Sequence, residues 1–234
     1  MKWLVELIGD ESNLEELSAF FNTPNLRISR KENRYILESS SFDQHSDITA
    51  VKTESDTLLT FVNGINVLKF HSSKPVTREA IVYQDEQGHR AIHLEIECSI
   101  TLKCEVQSRI IKKDGTIIEF KPEYPEKEWA PLITSDNRVY RVFEIVSHNF
   151  NSFIDLYKII EIVQEDDYTP LMREGEYYPE IKRLKETAES YEAIGRDSRH
   201  AHSRFKKPAN PMTLNQGKEL VKTILYQWMN SKIS

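Results

Sequence analysis

Lys121-Pro122-Glu123-Tyr124-Pro125-Glu126-Lys127-Glu128-Trp129-Ala130-Pro131 divides the chain. Each of its three prolines removes a backbone donor and fixes φ, so neither a helix nor a strand runs through the stretch. Upstream, apolar residues recur mostly at every second position. Downstream they recur at every third or fourth. The change of period predicts an α+β domain over residues 1–122, mostly antiparallel sheet, and a helical domain over residues 132–234.

Towards the N-terminus, Trp3 to Ile8 reads as a buried strand. Ser12-Asn13-Leu14-Glu15 reads as a capping box opening a helix through Phe21, because each side chain can satisfy an orphan amide at the helix start. Pro24 ends that helical unit. Leu26-Arg27-Ile28 and Tyr35-Ile36-Leu37 flank Lys31-Glu32-Asn33 as the arms of a hairpin. Asp47 is placed to cap a second helix, whose Ile48, Val51, Leu58, Leu59, Val62 and Ile65 form an apolar stripe expected to pack on the sheet. From Ala80 to Phe120 strands are expected: Ile81-Val82-Tyr83, a turn at Gln87-Gly88, then Ile92, Leu94, Ile96 and Cys98 alternating with polar residues. Asp114-Gly115 marks a further hairpin, since both residues tolerate positive φ. No catalytic constellation stands out here, and the domain reads as a recognition or oligomerisation module.

Beyond the divide, Asp136-Asn137 is placed to cap a helix with Val139, Val142, Phe143 and Val146 on one face. Phe153, Ile154, Tyr157, Ile160 and Val163 give a second. Pro179 suits the first turn of a third, whose Ile181, Leu184, Ala188 and Tyr191 recur until Gly195 supplies a left-handed stop. Thr213-Leu214-Asn215-Gln216 is another capping box, ahead of Leu214, Val221, Ile224, Leu225, Trp228 and Met229. Four helices on short connections predict a four-helix bundle.

Composition narrows the classes. Hydrophobic residues make up 39% and charged residues 29% of 234, enough to bury a core. No apolar run approaches the roughly 20 residues that span a bilayer, and charge interrupts the first residues too early for a secretory signal, so a cytoplasmic protein with no membrane partner is expected. Cys98 and Cys104 are too few for a disulfide framework or zinc cluster and read as reduced thiols. The net charge of −6 argues against a protein that coats nucleic acid. The charge is uneven, however: residues 182–207 hold eight basic and four acidic side chains, a local +4 that leaves −10 elsewhere. Such a window attracts phosphate or an acidic partner without making the whole molecule adhesive.

Gly195-Arg196-Asp197-Ser198-Arg199-His200-Ala201-His202 lies in that window, on the connection between the last two predicted helices. Cleavage of RNA through its 2′-hydroxyl needs a proton acceptor, a proton donor and a cation for the developing phosphorane charge. Histidine titrates near neutrality and serves either proton role; arginine is permanently charged and grips phosphate with a planar fork. His202 and His200 are therefore candidate acid/base groups, Arg196 a candidate stabiliser and Asp197 a candidate orienting group. Arg199, Arg204, Lys206 and Lys207 are candidate phosphate ligands.

An Arg followed after five residues by a His resembles the catalytic motif of the HEPN superfamily, and the resemblance spans about residues 136–234. That family consists of helical bundles, and its Arg, four to six residues and His make metal-independent ribonucleases usually completed by dimerisation. The resemblance implies a homodimeric RNA-directed nuclease of a bacterial toxin or antiviral system, needing no cofactor and no metal. The region is also similar to bacterial proteins of unassigned role that share its Ser-Arg-His, Asn-Pro-Met and Trp pattern.

Three other readings compete. Arg196, Arg199 and His200 follow a predicted helix C-terminus, where cations and donors stabilise exposed carbonyls by about 0.3–1 kcal/mol each. Residues 182–207 also suit a non-enzymatic sensor or adaptor that binds a protein or nucleic-acid partner. His200 and His202 as metal ligands lack a third ligand at diagnostic spacing. No phosphate-binding loop, dinucleotide fingerprint or nucleophile elbow occurs.

Overall fold

The computed structural model describes residues 2–31, 33–72, 74–84, 90–94, 110–111, 117–118, 125–166, 175–200 and 204–233. The chain forms two compact units, residues 1–62 with 74–130 and residues 63–73 with 131–234.

In the first unit, β1 (Lys2–Ile8) is the middle strand of a five-stranded antiparallel sheet. With β2 (Arg27–Lys31), β3 (Arg34–Glu38), β4 (Thr77–Gln84) and β5 (Arg90–Leu94), the order is β2-β3-β1-β4-β5. Val5 lies opposite both Leu37 and Ile81, so these three share one face, and Leu4, Ile36 and Val82 form a buried cluster on the other. Both faces of β1 are thus buried, which is why Trp3 to Leu7 carries no clean alternation. The expected hairpin at residues 31–34 forms with Lys31 opposite Arg34. The second hairpin, β4 with β5, brackets Gln87-Gly88, which lies outside the described residues together with Cys98, Cys104 and Asp114-Gly115. Ile110–Ile111 and Ile117–Ile118, on either side of Asp114-Gly115, pair as β6 and β7.

Helix α1 (Glu11–Phe20) begins two residues earlier than its capping-box reading. The Asp10 carboxylate, not the Ser12 hydroxyl, accepts from the Asn13 amide at 3.3 Å, and Lys74 holds its other oxygen at 3.0 Å. A carboxylate at that position both caps and meets the positive end of the helix dipole. Asp47 caps α2 (Ile48–Phe70) as expected, accepting from the Thr49 and Ala50 amides at 2.8 and 3.1 Å. Through Val62 this helix counts with the first unit; from Asn63 its residues count with the second. Arg78 of β4 ties the two elements, donating to Ser55 and Asp56 at 2.8 and 2.6 Å.

The region after the sheet is all-helical, but among the described residues it has six helices and not the four expected. They are α3 (Ala130–Ser135), α4 (Asn137–Asn149), α5 (Phe153–Gln164), α6 (Tyr178–Glu189), α7 (Tyr191–Ile194) and α8 (Leu214–Ser231). Two causes account for the difference. Helix α3 is too short to show a period, and the stripe expected to run on to Gly195 breaks at Ser190. The break follows from tertiary hydrogen bonds. Thr187 accepts the Met212 amide at 3.0 Å, the Ala188 carbonyl accepts the Arg199 amide at 2.7 Å, and Ser190 turns extended, leaving Tyr191 exposed. The four long helices start as read. Asp136 and Ser152 cap α4 and α5, a proline opens α6, and Thr213 with Gln216 completes the capping box of α8.

Candidate functional site

The loop that follows α7 is built from the end of α6 outward. Gly195 has φ +64 with open space around its Cα, so its conformation, not crowding, calls for glycine. A 3-10 turn over Gly195–Asp197 then sets Arg196 and Asp197 into solvent, where neither side chain makes a hydrogen bond or ion pair among the described residues. Ser198 is buried, and its hydroxyl donates to the His200 carbonyl at 2.9 Å.

Arg199 turns back onto the helices. Its guanidinium lies 4.3 Å from the centroid of the Tyr157 ring and 3.4 Å from Glu161 Oε1. The same ring has Lys185 Nζ at 5.1 Å, and its hydroxyl donates to Glu189 Oε1 at 3.1 Å. Burial raises the Tyr157 phenol above its ordinary value, the Glu189 carboxylate adds to the rise, and Arg199 opposes it. Burial lowers the Lys185 ammonium, against Glu161 and Glu189 and with help from Arg199. A groove of about 510 Å³ opens beside this cluster, with Glu144, Lys158, Glu161 and Lys185 in its wall.

The next residue is held differently: the His200 imidazole stacks on Phe205, with centroids 4.8 Å apart and planes at 13°. The Arg204 guanidinium lies 4.7 Å from the same ring centroid. Lys206 and Lys207 are exposed, and the Lys207 amide donates to Glu192 at 3.3 Å. The structure therefore brings His200, Arg204 and Phe205 together and directs Arg199 elsewhere. His202 lies outside the described residues.

The cationic window divides accordingly. Arg183 donates to the carbonyls of Asn210 and Pro211 at 2.8 and 3.3 Å, Lys185 donates to Gln164, and Lys182 faces Glu186 at 3.8 Å. Carbonyl pinning of the kind considered for Arg199 and His200 is performed by the Arg183 side chain and by the Arg199 main chain. Arg196, Lys206 and Lys207 are left with no side-chain partner among the described residues.

Sequence reading did not single out Phe205 or the polar role of Tyr157. The signal for Phe205 was present: an aromatic residue enclosed by Arg204, Lys206 and Lys207 is the composition of a nucleic-acid surface. Tyr157 carries no comparable signal, since its spacing is that of a core residue and its ring is indeed buried. Among the described residues no group of three or more His, Cys, Asp or Glu side chains is arranged to hold a metal ion. None of the described helices is long and apolar enough to cross a membrane. No protein-family model, curated protein or solved structure matches the chain.

Proposed function

We propose that the helical region is an HEPN-like, RNA-directed module of a bacterial toxin or antiviral system, acting as a homodimer in the cytoplasm. The observation that carries the reading is the surface of residues 196–207. Arg196, Lys206 and Lys207, exposed and without a side-chain partner among the described residues, belong to the same loop as the stacked imidazole and phenyl rings of His200 and Phe205. Cations meet phosphates and flat rings meet bases, and together they suit a nucleic-acid strand. Cleavage belongs to the same proposal. His202 moves the proton, Arg196 stabilises the phosphorane, and His200 and Asp197 support them, with no metal in the reaction.

The second reading is a non-enzymatic sensor or adaptor that binds through residues 182–207. It is favoured by the engagement of Arg199 with Tyr157 and Glu161, which withdraws one phosphate ligand from the expected set. Labelled RNA incubated with the protein and a chelator separates the two. The nuclease reading expects cleavage by the native chain and binding without cleavage by Arg196→Ala and His202→Ala. Binding without cleavage by all three establishes the adaptor reading for RNA, and absence of binding at low salt removes RNA from both.

A further inference from the structure

We infer, resting on the RNA reading above, that the His200–Phe205 pair is a stacking seat for an unpaired nucleobase, which makes single-stranded RNA the preferred ligand over duplex. The two rings are nearly parallel, at 13° and 4.8 Å between centroids, and the Arg204 guanidinium is 4.7 Å from the Phe205 centroid. Three flat, polarisable groups are gathered within one loop, in a chain whose side chains at Arg199 and Arg183 are already committed to Tyr157 and to main-chain carbonyls. Neither His200 nor Phe205 is fully buried, so this stack is no part of the helical core. A base continuing the stack meets a π-face of its own shape, whatever its identity.

Charge geometry points the same way. Arg196 precedes the stack in the chain and Lys206 and Lys207 follow it, all three exposed, so the loop that holds the rings also offers cations to the phosphates of a bound strand. A duplex hides its base faces within its own stacking and offers this surface only its backbone. It would engage Arg196, Lys206 and Lys207 but not the rings. Phe205 is therefore a positioning residue, holding the His200 ring flat; the imidazole is the platform the base touches.

Fluorescence anisotropy on the full chain tests this with a labelled oligonucleotide carrying 2′-O-methyl groups, which blocks cleavage. Three probes are compared: the single strand, its duplex, and the single strand with abasic positions. The native protein binds the single strand about tenfold tighter than the other two, equivalent to about 1.4 kcal/mol. Phe205→Leu keeps apolar bulk and removes the π-face, and it abolishes that preference while duplex affinity holds. Arg196→Ala weakens all three probes alike. Equal affinity of the native protein for single strand, duplex and abasic strand overturns the inference and leaves the RNA reading standing. So does an equal loss for every probe in Phe205→Leu, which marks Phe205 as a support of the loop alone. Absence of binding to any probe at low salt overturns the RNA reading and this inference with it.

Discussion

Exchanging Lys232 for methionine removes an ammonium that joins three helix ends. Lys232 Nζ lies 2.7 Å from Asp136 at the start of α4, donates to Asp166 just beyond α5, and sits 4.8 Å from the Trp228 ring near the end of α8. The Trp228 indole also donates to Asp166, at 2.9 Å. These charges are only 15%, 20% and 14% exposed for Lys232, Asp136 and Asp166. Breaking a buried pair from one side costs about 3–5 kcal/mol, against about 0–1 for an exposed pair. Arg138 remains, 2.9 Å from Asp166 and donating its amide to Asp136 at 2.8 Å. That residual neutralisation brings the expected loss to about 2 kcal/mol, or about 4–8 °C in melting temperature for a chain of this length. Methionine retains the aliphatic packing over Trp228, so the loss reports charge. Burial by itself raises the Asp136 carboxyl, but the Lys232 hydrogen bond, the Arg138 amide and both charges outweigh it and hold the group below its ordinary 3.8. Its contribution is therefore complete above 3.8 and lost as pH falls through the lowered value. Thermal unfolding followed by circular dichroism should show the deficit at neutral pH and its narrowing in acid. A melting temperature within about 1 °C of the native protein at neutral pH refutes the clamp.

Two further outcomes follow from the packing and the sheet. A methyl group at Gly64 lies 2.4 Å from Cδ1 of Phe143, whose ring is wholly buried, so Gly64→Ala should lose about 2 kcal/mol despite its better helix propensity. Urea unfolding checks it; a midpoint shifted upward would show that the ring has room to move. Glu38 accepts from Lys2, Lys31 and Ser29, and although burial raises its carboxyl these partners bring it from 4.5 to about 2. At full value that is about 3 kcal/mol, reduced to about 1 kcal/mol because both lysines are half exposed. Glu38→Gln should therefore be less stable than the native chain above pH 4.5 and equally stable near pH 2; a constant difference across that range would contradict the assignment.

How much of this the sequence disclosed depended on whether the deciding interaction was local. The caps at Asp47, Asp136 and Thr213 each act within three residues, and the hairpin between β2 and β3 closes through adjacent residues, so all were legible; the Ser152 cap of α5 is equally local but was not read. Ser190 was not. The helix stops there because Met212 and Arg199, distant in sequence, bring donors to Thr187 and Ala188. Nothing local in the sequence marks Gly64 or Gly217, yet each faces a buried side chain that a methyl group would strike: Phe143 for the first, Leu156 for the second.

The candidate site shows the same division in its charges. Eight cations in one window counted equally as sequence, but a cation does different work according to what lies within about 4 Å of it. Arg183 and Arg199 have flat guanidinium groups and found flat or forked partners: two carbonyls for one, the Tyr157 face and Glu161 for the other. These contacts fix the loop between α7 and α8 to the bundle at both of its ends. Arg196, before the first of those anchors, and Lys206 and Lys207, between them, have no side-chain partner among the described residues, so the uncommitted charge is narrower than the window and shares its loop with one aromatic stack. A diffuse +4 would favour any polyanion. Three cations in one loop with a pair of parallel rings are what the proposed single-stranded ligand requires, since its charges alternate with exposed flat groups.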